Sequence, residues 1–433
     1  MTVLDSRRDI PGDRDRRDAS FGVSDALITA DGVSMAPVTD LGAGRGPFWL
    51  DQSLERGGAD VVAWRRHVHA NPELARHEYA TTELICSVLR SAGLEPSVLP
   101  GGTGVICDVG SGSKCVALRA DIDALPLTEA TGLPYSSSVE GAAHACGHDA
   151  HTAILLGAAA ALASAPELPG RVRLIFQPAE EVMPGGALDV ITAGGLEGVD
   201  RIFGLHCDPR VQVGQVGSRV GALTSAADLI ELRLTSPGGH TSRPHLTADL
   251  VHALGVVITS LPSLLSRRVD PRSGTVLVWG AVHAGQAANA VPQDGVLRGT
   301  LRTADHEVWK ALEPLVASSV QSLLAPTGVG FDLDYRRGVP PVVGDENSTA
   351  LLRAGVEAAL GEDALTGTEQ SSGGEDFAWY LEHVPGAFAR LGVWSGESEM
   401  RDLHRPTFEL DERALAVGIR VMVHTALASL AGG

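Results

Sequence analysis

The sequence predicts an α/β protein: a mixed, largely parallel sheet with helices on both faces, and a smaller α+β unit inserted within it. Three observations carry this. Short β-rich runs at 103–109, 114–121, 171–177 and 201–206 alternate with helical stretches, as parallel strands must when each crossover needs a helix. Near residue 222 the pattern switches to strand, helix, strand, strand, helix, strand. After residue 336 helices and loops resume, so the middle unit interrupts the first.

A chain of 433 residues exceeds one ordinary core, and an apolar content of 44% is that of a globular protein. Residues 1–46 are expected to be a disordered tail, because Arg and Asp alternate in Arg7-Arg-Asp-Ile-Pro-Gly-Asp-Arg-Asp-Arg-Arg-Asp18 with no apolar period. Met35 also begins a plausible chain, which leaves open whether residues 1–34 occur in the native protein. The expected organisation is then 47–221 and 337–433 as two parts of one domain, with 222–336 inserted.

In order, the first helical run places Trp64, His67 and Val68 on one face and breaks at Pro72; a second, 82–94, stops at Gly93. The two histidines of Arg66-His-Val-His-Ala-Asn-Pro-Glu-Leu74 are expected at the surface or a helix end near the core, rather than as metal ligands. The strands at 103–109 and 114–121 flank Gly-Ser-Gly-Ser, and the second runs into Arg119-Ala-Asp-Ile-Asp-Ala-Leu-Pro126. A helix at 152–164 follows, and the strands at 171–177 and 201–206 end in Gln177-Pro-Ala-Glu-Glu181 and His206-Cys-Asp-Pro209. The inserted unit has strands at 228–236, 273–282, 295–303 and 330–336, with helices at 247–261 and 306–324. That order is the split βαβ pattern of a ferredoxin-like unit. Beyond it come a helix at 347–360, loops around Gly373 and His404, and a closing helix at 410–430.

Charge narrows the function. Acidic residues (53) exceed basic ones (34), and a net charge of −19 leaves no basic footprint for nucleic acid. Five cysteines, odd in number and irregularly spaced, point to a reduced, cytoplasmic compartment. No uninterrupted apolar run is expected to span a membrane; the longest, 153–165, reads as a packed helix.

The chemistry gathers at His144-Ala-Cys-Gly-His-Asp-Ala-His151. Cys146 and His148, two apart, project to one side of an extended loop, and thiolate and imidazole are ligands of zinc-like ions. Glu180 and Glu181 are expected to point opposite ways, one carboxylate to hold an ion and one to take a proton from water. Taken singly, His206 is a core histidine and His404 a loop residue. Strand ends converge in an open α/β sheet, which makes the set more telling than its members.

The series His144-Ala-Cys-Gly-His-Asp-Ala-His151, Gln177-Pro-Ala-Glu-Glu181, Gly238-Gly-His240, Asn289-Ala-Val-Pro292, Gly373-Gly-Glu-Asp-Phe377 and Leu403-His-Arg-Pro406 resembles the aminoacylase, hippurate hydrolase and indoleacetyl-amino-acid hydrolase family. His67-Val-His-Ala-Asn-Pro-Glu-Leu74 and Arg119-Ala-Asp-Ile-Asp-Ala-Leu-Pro126 fit its N-terminal part. The resemblance implies two divalent metal ions (zinc, manganese, cobalt or nickel), held by Cys146, His148, Glu181, His206 and His404, with Cys146 able to bridge them. It implies Glu180 as general base, Asp123 as a residue that orients a ligand, and His144, Asp149 and His151 as supporting residues. His240 would stabilise an oxyanion, in related enzymes across a dimer. Asn289, Arg302, His245 and Gly373 are substrate-binding candidates. Cys207-Asp208-Pro209 and the Ala of Asn289-Ala-Val-Pro292 depart from the commoner pattern, so substrate choice does not carry over.

The function so implied is hydrolysis of N-acyl amino acids or related small amides by a metal-activated water, in a homodimer paired through the inserted domain. A metallo-dipeptidase or carboxypeptidase of the same layout is the alternative. A metal-binding homologue without activity is disfavoured, because no ligand is missing and the base is present.

Overall fold

The computed structural model describes residues 41–397 and 399–432. The expected tail lies outside the described residues except for 41–46, which form turns and bends.

The chain opens with helices α1 (Phe48–Ala70) and α2 (Tyr79–Ser91). On α1 the buried stripe is Leu50, Leu54, Gly58, Val61, Val62, Arg65, Val68 and His69, a helical period that includes two polar residues. The expected face of Trp64, His67 and Val68 is corrected here: Val68 is buried, but His67 is exposed and the buried histidine is His69.

Strands β1 (Ser97–Val98), β2 (Val105–Gly110) and β3 (Cys115–Asp121) follow, then α3 (His148–Ala163) and β4 (Arg171–Gln177). A short helix α4 (Ala187–Thr192) precedes β5 (Arg201–Gln212) and β6 (Val216–Ser218). Helix α3 starts four residues before the predicted one, because Gly147 takes φ +89° and turns the chain so that His148 opens the first turn. A Cβ at Gly147 would lie 2.8 Å from Cys207 Sγ, so glycine suits both the turn and the close approach. Strand β5 runs well past the predicted end at 206, so His206 sits within a strand rather than just after one.

The inserted unit hangs on a two-strand neck, β7 (Gly221–Ala222). It contains β8 (Ala226–Thr235), β9 (Gly239–His240), α5 (Leu250–Arg268), β10 (Val276–Ala284), β11 (Ala290–Val291), β12 (Asp294–Thr303), α6 (His306–Leu324) and β13 (Gly330–Val339). The neck's second strand, β14 (Val343–Gly344), pairs with β7. The unit's sheet is antiparallel in the order β10-β12-β8-β13, the split βαβ arrangement the pattern predicts. Leu254, Val257 and Leu261 of α5 and Leu312, Val316 and Val320 of α6 close its core against Ile230, Leu232, Leu297 and Leu301.

The chain then returns through α7 (Glu346–Leu360), β15 (Leu365–Gly367), α8 (Ala378–Leu381), β16 (Gly386–Trp394) and α9 (Arg413–Ala431). The main sheet has the order β1-β2-β4-β3-β5-β16-β6-β15. Its centre, β4-β3-β5-β16, is parallel throughout, and β2 and β6 join it antiparallel. Residues of α1, α2, α3, α7 and α9 cover one face, and α4 and α8 pack on the other. Strand β16, at the sheet's centre, has no counterpart among the expected strands; Arg390 interrupts its apolar run.

Helices α3 and α9 pack closely through a reciprocal pair. A Cβ on Gly157 would collide with Ile419, and a Cβ on Gly418 with Ile154. Helices α5 and α9 are both long and apolar enough by composition to cross a membrane, although His252 and Pro262 interrupt α5 and Arg420 and His424 interrupt α9, so neither is the uninterrupted run whose absence was expected. Packing accounts for their composition: 83% of the apolar window of α9 is buried between sheet and helices, and the buried face of α5 lies on the inserted sheet.

Candidate metal centre and active site

Five side chains from distant parts of the chain meet at the carboxyl end of the parallel strands. Cys146 comes from the loop before α3, His148 from its first turn, Glu181 from the turn after β4, His206 from β5 and His404 from the loop before α9. Ligand atoms of Cys146, His148 and His206 lie within 4.8 Å of one another, and so do those of Cys146, Glu181 and His404. The thiol is common to both triples.

The imidazoles are oriented from behind. His148 Nδ1 lies 2.9 Å from the Asp123 carbonyl oxygen, which can only accept, so Nδ1 carries the proton and Nε2 faces the site. His206 Nδ1 likewise donates to the Cys207 carbonyl at 2.8 Å, leaving Nε2 3.4 Å from Cys146 Sγ. His404 adopts φ +60°, its N–H donates to the Ala145 carbonyl at 2.8 Å, and its Nε2 is 3.4 Å from Glu181 Oε1. Asp123 Oδ2 accepts the Glu181 N–H at 2.9 Å, so one residue positions both His148 and the Glu181 turn.

These donors fit a divalent transition ion. Imidazole, thiolate and carboxylate are the ligand set of zinc and its neighbours, and each ligating histidine should donate its other nitrogen outward, as His148 and His206 do. His148 Nε2 and Glu181 Oε1 are buried and have no hydrogen-bond partner, an expensive state that a cation would relieve. Burial works against a charged His148, yet Asp121, Asp123 and Glu181 push its pKa up to about 10; carboxylates that hold a proton there would hold a cation. Burial pushes the Cys146 thiol up, as do Glu181, Glu180 and Asp121, so the thiolate also calls for positive charge.

Glu180 Oε2 and Glu181 Oε1 lie 3.9 and 3.8 Å from the same His148 Nε2. The expectation that the two point opposite ways is therefore corrected. The chain is not extended there: Ala179 takes φ +57°, and both carboxylates turn to one side. Burial pushes the Glu180 carboxyl far up, reinforced by Glu375, Glu181, Asp376 and Asp121.

Further residues brace this cluster, among them the expected supporting residues Asp149 and His151 and, not singled out individually in the sequence, Arg119, Asp121, Gln177, Asp376 and Tyr380. Arg119 Nη1 donates to Asp121 Oδ2 at 2.7 Å, and Nη2 to Asp376 Oδ1 at 2.8 Å. Gln177 Nε2 reaches both Asp376 oxygens, and Tyr380 donates to Gln177 Oε1 at 2.9 Å. Asp121 Oδ1 lies 2.5 Å from His151 Nδ1, and His151 Nε2 accepts the Cys207 N–H at 2.9 Å. Asp149 pairs with Arg65 at 2.7 Å and His69 at 2.8 Å, so His69, in the last turn of α1 as a helix-end histidine near the core was expected to be, is a buried brace. His144 is buried with neither ring nitrogen hydrogen-bonded. Apart from Arg119–Asp121, two residues apart on β3, these pairs join distant segments and have no local sequence signal.

A cavity of about 310 Å³ opens beside the cluster, lined by Cys146, Glu180, Glu181, His206 and His404 and by Arg302 and Gly373 among the substrate candidates. Arg302 Nη1 donates to the Ser372 carbonyl at 2.5 Å, joining the inserted unit to the Gly373 loop. His240, Asn289 and His245 are exposed and do not line this cavity. His240 Nδ1 instead accepts the Ser242 N–H at 3.1 Å.

Residues 117–428 match the family described as Peptidase family M20/M25/M40. A Bacillus subtilis protein named N-acetyl-L-cysteine deacetylase is 38% identical over 82% of this chain and 84% of its own length. A Rhodococcus jostii protein named putative glutamate–cysteine ligase 2-3 is 56% identical over 86% of this chain, but the chain spans only 47% of that relative. A solved Bacillus subtilis structure, described as a dinuclear metal binding peptidase from the M20 family, superposes with a TM-score of 0.76 at 34% identity, covering 87% of this chain and 99% of the other.

Proposed function

The chain belongs to peptidase family M20/M25/M40 and is a hydrolase of amide bonds, and from that premise we propose that its substrates are N-acyl amino acids or closely related small amides. One observation carries the reading: a largely shielded carboxylate, Glu180, with a side chain 10% exposed, stands beside a five-residue metal-ligand set at the mouth of a small cavity.

In this proposal Cys146, His148, Glu181, His206 and His404 hold two divalent ions, of zinc, manganese, cobalt or nickel. When bound, such ions polarise an amide carbonyl and acidify water. Glu180 takes the proton from water and delivers it to the leaving amine; its raised pKa suits a group that must hold that proton between the two steps. Asp123 keeps His148 and Glu181 in place. Arg302 and the Gly373 loop border the substrate.

His240 and Asn289 enter from a second copy in this reading. Support comes from the inserted sheet, where β10 is an edge strand that exposes Val276, Val278 and Val282. An unpaired apolar edge is a pairing surface, and a homodimer through it would also bring a second His240 into play. Five buried, unbridged cysteines accord with a reducing, cytoplasmic setting.

The test is Glu180→Gln. It is expected to retain metal and fold while losing roughly 10²- to 10⁴-fold in kcat on N-acetyl amino acids. Hydrolysis at the wild-type rate would remove Glu180 from the role of base. Running dipeptides beside N-acetyl and N-benzoyl amino acids, each with zinc, manganese or cobalt, separates an aminoacylase from a dipeptidase.

A further inference from the structure

Among the described residues, four arginines are buried at or near this sheet, and one differs from the rest. Arg65 pairs with Asp149 at 2.7 Å, Arg119 with Asp121 at 2.7 Å and Arg420 with Asp51 at 2.6 Å. Arg390 is only 7% exposed, yet its Nε has no hydrogen-bond partner and, among the described residues, no carboxylate oxygen lies within ion-pair distance of its guanidinium. The nearby carboxylates are already engaged. Asp208 receives Arg210 through two bonds, at 2.9 and 2.8 Å, and Glu375 lies 3.1 Å from Arg119.

A buried, unpaired guanidinium is among the more expensive states a protein can keep. Its position tells what would relieve it. On β16, Arg390 stands directly beside His206 of β5, and its side chain lines the same cavity as Cys146, His206 and His404. Guanidinium presents a planar fork that matches a carboxylate in two parallel bonds.

We propose that Arg390 is a specificity-determining residue that receives a carboxylate of the substrate inside the metal-bordered cavity. The inference rests on the reading of the substrate as an N-acyl amino acid, which can carry such a group in two places: the α-carboxylate of the amino acid, or a free carboxylate on the acyl group. Either would replace a costly lone cation with a bidentate pair. A positioning role is the rival, in which Arg390 only offsets the negative charge of Cys146.

The experiment compares wild type, R390K and R390M on N-acetylmethionine, N-acetylmethioninamide and N-succinylmethionine, with bound metal measured for each protein. If the α-carboxylate is the ligand, wild type favours N-acetylmethionine over the amide at least tenfold in kcat/KM, mainly through KM. If the acyl carboxylate is the ligand, wild type favours N-succinylmethionine by that factor. R390M should bring the relevant ratio towards one, and R390K should keep part of it. A uniform fall on all three substrates, or a loss of bound metal that accounts for the fall, would overturn the assignment.

Titrating the metal-loaded wild type with acetate and with succinate tests it without turnover. Succinate should bind at least tenfold tighter, and R390M should lose that margin; equal affinities in wild type would refute the proposal. Absence of hydrolysis on every substrate, with the succinate margin intact, would sink the N-acyl reading and leave Arg390 as a carboxylate site.

Discussion

Asp149→Asn tests how the metal-bearing helix is anchored. Asp149 is fully buried; Oδ2 accepts Arg65 Nε at 2.7 Å and lies 2.8 Å from His69 Nδ1, so one oxygen ties α3 to two residues of α1. Burial opposes the charged carboxyl, but Arg65 and His69 hold it far below the usual carboxylate range. Removing one partner of a buried pair typically costs about 3–5 kcal/mol, because the other charge is left without its counter-ion. Arg65 keeps the Tyr135 hydroxyl at 3.0 Å and Glu412 at 3.2 Å, so the lower end, about 3 kcal/mol, is expected. Urea unfolding of metal-free protein near neutral pH measures it. The wild-type contribution of Asp149 is present above the unfolded carboxylate pKa, near 3.9, and is lost as pH falls through the depressed folded value. His69 works in the opposite sense. Burial lowers its pKa but Asp149 raises it more, so its contribution is full below about 6.5 and is lost as pH rises through the raised folded value. D149N should remove the first dependence and reduce the second, to which Glu129, 3.2 Å from His69 Nε2, still contributes. A loss below about 1 kcal/mol, the size of an ordinary surface substitution or little more, would show that the pair does not anchor the helix.

Two further outcomes follow from the same geometry. Cys146→Ser should weaken metal binding by more than the roughly 10- to 100-fold typical of losing a group behind a ligand, because the sulfur belongs to both ligand triples; equilibrium dialysis showing unchanged metal content would remove Cys146 from the site. His144 is pushed down to about 4 by burial, so between pH 4 and about 6.5 the unfolded chain takes up a proton that the folded one refuses. Stability of the metal-free protein should rise across that window by roughly 3 kcal/mol, and H144L should flatten the rise; an unchanged slope would assign it to other groups.

The parts of the fold legible in the sequence are those with local periodicity. The inserted unit shows its six elements in order because each strand alternates and each helix has one apolar face. The central strand β16 does not show, because buried Arg390 breaks an otherwise apolar run and reads as a surface residue. At the centre, Cys146, His148, Glu181, His206 and His404 could be named from motifs, but not how they are held. The direction of Glu180 depends on one left-handed residue, Ala179, that no local pattern requires. His69 reads as a helix-end histidine near the core, but its partner Asp149 lies too far along the chain for local pattern to show. His240 and Asn289 belong to the motif series yet stand apart from the cavity in a single chain, a geometry that short-range sequence pattern does not encode.

The reciprocal glycines of α3 and α9 bear on how the protein is born. Gly157 and its seat Ile419 lie about 260 residues apart, which at 5–20 residues per second separates their emergence from the ribosome by roughly 13–50 s. During that interval the inserted unit, contiguous in sequence and with its own core, can fold, whereas α3 waits with one apolar flank uncovered. The centre that begins at His148 is thus assembled last, when the final helix closes over a helix made long before it.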